Sequence, residues 1–175
     1  MDNRKNEAVL NGRVLVVDDK DMRLCIARAM LSLYGLQIDT AKSGYEAIEK
    51  IKYNAYDLVL MDHIMPGMDG MKTTSKIRKW ENEEFLRKYS MEFSHETPKL
   101  LEAEFFEGKR LPIVVLTVNT TDGAKEMFLA GGFNGFISKP IVPQEMDKML
   151  KEWLSPEKIS RRAGANVIEK ALTAA

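Results

Sequence analysis

The sequence has little cysteine, no long apolar run and no charge excess of either sign. A single cysteine, Cys25, cannot form a disulfide within the chain, so the cysteine content does not indicate an oxidising compartment. The longest apolar stretch, LPIVVL, has six residues, whereas a helix that spans a membrane needs about 20. We therefore expect no membrane insertion.

Two further absences narrow the class of protein. The N-terminal residues MDNRKNE are charged and no apolar segment follows them, so no secretory signal is predicted. The 26 basic and 26 acidic residues cancel to a net charge of zero, which leaves no basic field for direct binding of nucleic acid. We expect a cytoplasmic, globular protein.

Short apolar segments alternate with longer amphipathic segments along the 175 residues. The first, third and fourth apolar segments are almost continuous Val, Leu and Ile, which is typical of strands covered on both faces. This alternation predicts an α/β fold, with a doubly wound five-stranded parallel sheet and right-handed crossovers. The predicted strands are 13–18, 36–41, 57–62, 112–117 and 134–139, and the predicted helices are 22–34, 43–53, one from about 71, 121–130 and 143–154.

The connection between the third helix and the fourth strand is longer than such a crossover needs. Residues 80–110 hold six of the 14 aromatic residues of the chain. Helical spacing from Phe85 to Phe93 predicts that the third helix continues to about Ser94. The pair Thr97-Pro98 then predicts the start of a short second helix through Phe106. We therefore predict a helical insertion at 80–110.

The insertion is expected to leave the sheet at the amino ends of its strands. It would pack on its own domain or offer an aromatic surface to a partner or to a second copy. The domain itself is predicted at 12–154, with an N-terminal extension at 1–11 and a tail or linker at 155–175.

Polar side chains stand at the carboxyl ends of four predicted strands. Asp18 and Asp19 follow the first strand, Asp62 ends the third, Thr117 the fourth and Lys139 the fifth. Taken singly, each has an ordinary explanation as a helix cap, a loop residue, a strand residue or a turn residue. Ligands of open parallel sheets bind beyond the carboxyl ends of the strands, so the joint placement predicts a site.

The predicted site concentrates negative charge. Two carboxylates a few ångströms apart repel each other by about 4 kcal/mol at an effective dielectric constant near 20. Three such groups therefore favour either protonation or a bound cation, and hard oxygen ligands with open positions suit Mg²⁺. With the cation and Lys139 in place, a phosphorylated group can approach, and a carboxylate is available as its nucleophile.

The segments LVVDD, LVLMDHIMPGMDG, LTVN and FISKP together resemble the receiver domain of two-component response regulators. The resemblance covers residues 12–154 apart from the insertion. It implies a flavodoxin-like (CheY-like) sheet with strand order 2-1-3-4-5. It also implies that Asp62 accepts a phosphoryl group from the phosphohistidine of a histidine kinase or a phosphotransfer protein. The implied ligands of Mg²⁺ are Asp18, Asp19, Asp62 and the backbone carbonyl of Ile64.

The same resemblance implies a switch. Lys139 would pair with the phosphoryl oxygens, and the bond from Lys139 to Pro140 would be a cis peptide. The Thr117 hydroxyl would bind the phosphoryl group, and Phe136 would rotate inward behind it. The fourth helix, fifth strand and fifth helix would then present a changed face to a downstream effector protein. This face or the insertion would also serve a dimer, and the protein would be a signalling domain that catalyses only its own phosphorylation and dephosphorylation.

Two alternatives remain open at the level of the sequence. Val118 stands where receivers usually carry a small residue, so the chain could instead be a docking module that is not phosphorylated. The flanks LNGRVLVVDD and EWLSPEKI resemble those of receiver modules in hybrid histidine kinases, so the sequence is consistent with a stand-alone receiver and with such a module.

The side chain of His63, next to Asp62, is predicted to point away from the carboxylates.

Overall fold

The computed structural model describes residues 12–89, 110–121 and 123–154. Each of its strands is followed by a helix, as the alternation of apolar and amphipathic segments predicts. The strands are β1 (Arg13–Val17), β2 (Gln37–Ala41), β3 (Leu58–Asp62), β4 (Ile113–Thr117) and β5 (Gly135–Ser138). The helices are α1 (Asp21–Ser32), α2 (Gly44–Tyr53), α3 (Gly70–Tyr89), α4 (Ala124–Ala130) and α5 (Pro143–Trp153).

The five strands form one sheet in the order β2-β1-β3-β4-β5. Every neighbouring pair is parallel. This arrangement confirms the predicted doubly wound α/β class and the predicted strand order. Because β1 and β3 are neighbours at the centre of the sheet, the residues that follow them lie side by side at one edge.

The sheet is buried on both faces, which explains the continuous apolar composition of its central strands. Along β1, Val14 and Val16 belong to one core cluster, whereas Leu15 and Val17 belong to another. The first cluster includes side chains of α1 and α5, and the second includes side chains of α2, α3 and α4. This packing fixes the strand ends that carry the predicted site.

Local signals explain where several elements begin and end. The Ser43 hydroxyl accepts a hydrogen bond from the Glu46 amide at 3.2 Å and caps α2. Pro143 opens α5, where a missing amide proton costs nothing. Gly35 has a φ of 70° just after α1, a conformation that favours glycine.

Helix α3 has 20 residues and continues into the insertion, as predicted for 80–89. The further course of that helix to Ser94, the short helix from Thr97 to Phe106, and the segments 1–11 and 155–175 lie outside the described residues. Among the helices described, none combines the length and the apolar character that crossing a membrane requires.

A polar cluster ties β2 to the loop before β3. The Tyr56 hydroxyl donates a hydrogen bond to Asp39 Oδ2 at 2.9 Å, and Arg13 Nη2 lies 2.7 Å from the same oxygen. The Arg13 guanidinium also lies over the Tyr56 ring, 5.0 Å from its centre. Burial, followed by the hydrogen bond to Asp39, raises the pKa of Tyr56 to about 12.

We predict that Tyr56→Phe removes one late step from the alkaline titration of the protein. The pKa of Tyr56 is raised from 10.0 to about 12. The stability that the neutral Tyr56 hydroxyl contributes to the folded state is therefore fully present below pH 10 and is lost as the pH rises towards 12. Spectrophotometric titration of tyrosine ionisation tests this. Tyr53→Phe, which removes an 82% exposed tyrosine, is the control and should retain the late step.

Candidate functional site

The carboxyl ends of β1, β3 and β4 bring three buried polar side chains to one edge of the sheet. Asp18 follows β1, Asp62 ends β3 and Thr117 ends β4. Their exposed fractions are 2%, 4% and 2%. Buried polar groups require partners, so the contacts that these three side chains make define the chemistry of the site.

The acidic side chains meet as predicted. One carboxylate oxygen from each of Asp18, Asp19 and Asp62 lies within 4.8 Å of the others. A set of hard oxygen donors at this spacing fits Mg²⁺, which protein carboxylates bind together with water. Ile64 lies in the loop after β3, and its amide nitrogen is 3.4 Å from Asp62 Oδ1. Its backbone carbonyl stays a predicted ligand.

Lys139 reaches the same carboxylates from the end of β5. Its Nζ lies 3.1 Å from Asp18 Oδ2 and 2.8 Å from Asp62 Oδ1. The peptide bond from Lys139 to Pro140 is cis. The ammonium group thus bridges two buried acids.

Arg23 is a second cation in the site and is not among the residues predicted from the sequence. A single nitrogen, Nη1, lies 3.0 Å from Asp18 Oδ2 and 2.8 Å from Asp62 Oδ2. Partial burial lowers the pKa of the guanidinium, but the charges of Asp18 and Asp62 outweigh this effect and raise the pKa above its usual value. Its position in the first turn of α1 was the available signal, because long helical side chains extend towards the N-terminus.

Asp19 has a cationic partner of its own. Lys20 Nζ lies 2.8 Å from Asp19 Oδ2. The hydrogen bond from Lys20 lowers the pKa of the Asp19 carboxyl and outweighs the desolvation that would raise it. The three acids are therefore accompanied by three basic side chains, those of Lys20, Arg23 and Lys139.

The Thr117 hydroxyl is held by neighbours other than the acids. It accepts a hydrogen bond from the Asn119 amide at 3.0 Å and lies 3.3 Å from His63 Nδ1. The hydroxyl proton can be donated to Nδ1 when the imidazole carries its proton on Nε2. In this structure the hydroxyl therefore contacts an imidazole.

His63 contacts neighbours of the site that the sequence did not predict. Its side chain is not one of the clustered metal-ligating groups among the described residues, but it is not remote from the site either. The ring packs edge-on against Phe128, with centroids 4.9 Å apart, and its Nδ1 faces Thr117. These contacts are with Thr117 and Phe128 and not with a carboxylate, in keeping with the predicted direction of the side chain.

Phe136 lies on β5 and is 39% exposed. It lines a surface cavity of about 490 Å³ between α4, β5 and α5, together with Trp153. Val118 is 70% exposed, so most of its side chain faces solvent. The structure thus shows Phe136 in an outward position on the face that the resemblance assigns to signalling.

The loop after Asp62 is held by close backbone packing at Gly70. The Gly70 amide donates a hydrogen bond to the His63 carbonyl at 2.9 Å. A Cβ atom at Gly70 would lie only 2.3 Å from the carbonyl oxygen of Asp62. The start of α3 and the end of β3 therefore touch through backbone atoms, which fixes the position of Asp62.

Comparisons with known proteins agree with this geometry. Residues 14–88 match the family model of the response regulator receiver domain. Probable histidine kinase 1 of Oryza sativa subsp. indica is 32% identical over 151 residues, which are 83% of this chain and 16% of that protein. The chain spans about one sixth of the length of such curated relatives.

Two solved structures have the same fold. Chemotaxis protein CheY4 of Vibrio cholerae is 25% identical, with a TM-score of 0.63 over 82% of this chain and 99% of that one. The receiver domain of the Pseudomonas aeruginosa sensor histidine kinase PA1611, solved with magnesium in its active site cleft, is 27% identical. Its TM-score is 0.61 over 82% of this chain and 97% of that one.

The parallel sheet, the acids at its edge and these matches define a signalling domain of two-component systems. The chain carries a response regulator receiver domain.

We predict that Gly70→Ala destabilises the protein by about 3 kcal/mol, because its new methyl group meets a backbone carbonyl that cannot move away cheaply. Gly131→Ala is the matched control. There the new Cβ would lie 2.4 Å from the flexible end of Met71, so its cost should stay within about 1 kcal/mol. Urea unfolding of both variants measures the difference, and equal losses would contradict the prediction.

Proposed function

We propose that this receiver accepts a phosphoryl group on Asp62 and uses it to change the face formed by α4, β5 and α5. The observation that supports this most directly is the contact of Asp62 with Lys139 at 2.8 Å inside a cluster of three acids. A buried carboxylate beside a fixed ammonium group has both a nucleophilic oxygen and a charge partner for an incoming anion.

Each residue of the site has a separate role in the proposed phosphoryl transfer. An oxygen of Asp62 attacks the phosphorus of a phosphohistidine, and the bond from phosphorus to the imidazole nitrogen breaks. Lys139 balances the negative charge of the transferred group, and Asp18 keeps Lys139 in place. Mg²⁺, held by Asp18, Asp19, Asp62 and the Ile64 carbonyl, would supply a further positive charge at the phosphoryl oxygens.

Thr117 is the proposed link between the phosphoryl group and the signalling face. Its hydroxyl contacts His63 in the structure, and phosphorylation offers it a charged acceptor instead. Moving the hydroxyl towards Asp62 would open space behind β4, into which Phe136 could turn from its half-exposed position. A contact of a few kcal/mol is enough to shift such a two-state equilibrium.

Partners and context follow from the family. A histidine kinase or a phosphotransfer protein would donate the phosphoryl group in the cytoplasm, and a downstream effector would bind the changed face. Pairing of two copies through that face or through 80–110 belongs to the same proposal. Because the curated relatives are histidine kinases, we favour a receiver module of a hybrid kinase, with the domain at 12–154 and its insertion at 80–110.

One observation favours the alternative of a docking module that is not phosphorylated. The three acids are matched by Lys20, Arg23 and Lys139 without any added ion. A pocket whose charges are already balanced could keep its shape as a purely structural feature. Phosphorylation of the purified protein separates the two functions.

We predict that acetyl phosphate with Mg²⁺ adds one phosphoryl group to the wild-type protein and none to Asp62→Asn. The asparagine cannot form the acyl phosphate, because it lacks the nucleophilic carboxylate oxygen. Intact-mass spectrometry measures the label. Asp21→Asn, which alters an exposed acid paired with Lys42, is the control and should label normally. Label on Asp62→Asn equal to that on wild type would exclude Asp62 as the acceptor, and no label on any protein would favour the docking module.

We predict that Thr117→Ala still takes the label but loses the change at the signalling face. Trp153 reports on that face, because its indole lies against Gly135, next to Phe136. In a Trp80→Phe background, phosphorylation should alter the Trp153 emission of the parent protein and leave that of Thr117→Ala unchanged. An equal change in both would show that the Thr117 hydroxyl is not the link.

A further inference from the structure

The four carboxylate oxygens of Asp18 and Asp62 all have partners within the chain. Asp18 Oδ1 accepts from the Lys20 amide at 2.9 Å, and Asp18 Oδ2 contacts both Arg23 and Lys139. Asp62 Oδ1 contacts Lys139, and Asp62 Oδ2 contacts Arg23 at 2.8 Å. A divalent cation that binds these acids therefore has to share their oxygens with groups that already contact them, or displace one of those groups.

Arg23 holds the acids in the way a metal ion would. One atom, Nη1, bridges an oxygen of Asp18 and an oxygen of Asp62, and it brings a positive charge to the point between them. A cation bonded to the same two oxygens would stand next to this nitrogen, and like charges at such a distance repel strongly. The guanidinium and the metal ion cannot both keep these contacts.

Of the two bridging residues, Arg23 is the one that can leave. Its side chain is 45% exposed, whereas that of Lys139 is 15% exposed. A long side chain with an open path to solvent can move its charged group into water, and an arriving cation then balances the buried acids that the guanidinium leaves. Lys139 is enclosed at the end of β5 and keeps its contacts.

We propose that Arg23 occupies the place of the divalent cation in the metal-free receiver, so that the cation binds only by displacing the Arg23 guanidinium. Arg23 is then a positioning residue with two effects. It balances the acids when no metal is bound, and it weakens the apparent affinity for Mg²⁺. This inference rests on the proposed phosphoacceptor function only in taking the three acids as the metal site.

The proposal predicts tighter binding of Mg²⁺ when the competitor is removed. Isothermal titration of the full chain with MgCl₂ should give a dissociation constant about tenfold lower for Arg23→Gln than for wild type, equivalent to about 1.4 kcal/mol. Arg28→Gln is the matched control, because it removes the same charge from the same helix. Arg28 is exposed, and its guanidinium donates a hydrogen bond to the Ile38 carbonyl at 3.2 Å. The Mg²⁺ affinity of Arg28→Gln should therefore equal that of wild type.

A measurement on the unaltered protein tests the displacement itself. The Nε–H signal of Arg23 in ¹H–¹⁵N spectra should shift as MgCl₂ saturates the wild-type protein, whereas that of Arg28 should not. This readout depends on neither phosphorylation nor the stability of a variant. A signal of Arg23 that stays in place at saturation would overturn the proposal.

The outcomes separate this inference from the proposed function. If Mg²⁺ binds wild type and Arg23→Gln equally, and Asp19→Asn abolishes binding, the metal site stands and the role of Arg23 is refuted. If neither wild type nor Arg23→Gln binds Mg²⁺, both the metal-dependent function and this inference are refuted. If Arg23→Gln binds Mg²⁺ more tightly than wild type does, the metal-dependent function and the role of Arg23 are both supported.

Discussion

The interaction on which the site depends is the repulsion among carboxylates gathered at one edge of the sheet. Two such groups at the separations seen here repel each other by about 4 kcal/mol at an effective dielectric constant near 20. Three basic side chains offset this repulsion: Lys20 before α1, Arg23 inside α1 and Lys139 after β5. Removal of one partner of a buried charge is costly, so these cations are part of the structure of the site as well as of its chemistry.

The sheet supplies the rigidity that this arrangement requires. Its central strands are covered on both faces, so the ends that carry Asp18 and Asp62 are held by close packing. The backbone contact at Gly70 fixes the loop that follows Asp62. The two basic side chains that contact these acids differ in exposure. The Lys139 side chain is enclosed, whereas the Arg23 side chain reaches the acids from a half-exposed position. Rigid acids with one movable cation make a pocket that can exchange one positive group for another.

The route from the pocket to the signalling face is short. Thr117 ends β4, and its neighbour in the sheet is Ser138 on β5, two residues after Phe136. In the proposed switch, a displacement of Thr117 would therefore act on the strand that carries the aromatic ring. His63 is the partner of the hydroxyl in this structure, so in the proposed switch a phosphoryl group on Asp62 would compete with an imidazole for Thr117. Competition between two partners is what makes such an element bistable.

The amino-acid sequence was enough to predict the parallel α/β sheet and the placement of the acids, Thr117 and Lys139 at one edge of it, and the family resemblance supplied the strand order. Strand composition and strand ends are local features, and parallel topology then fixes where they meet. The bridge from Arg23 to Asp18 and Asp62 and the contact of His63 with Thr117 become evident only in three dimensions. Those contacts depend on the directions of long side chains and on the course of a loop after its strand ends. No period in the sequence encodes either, because rotamers and loop geometry are set by packing against distant residues.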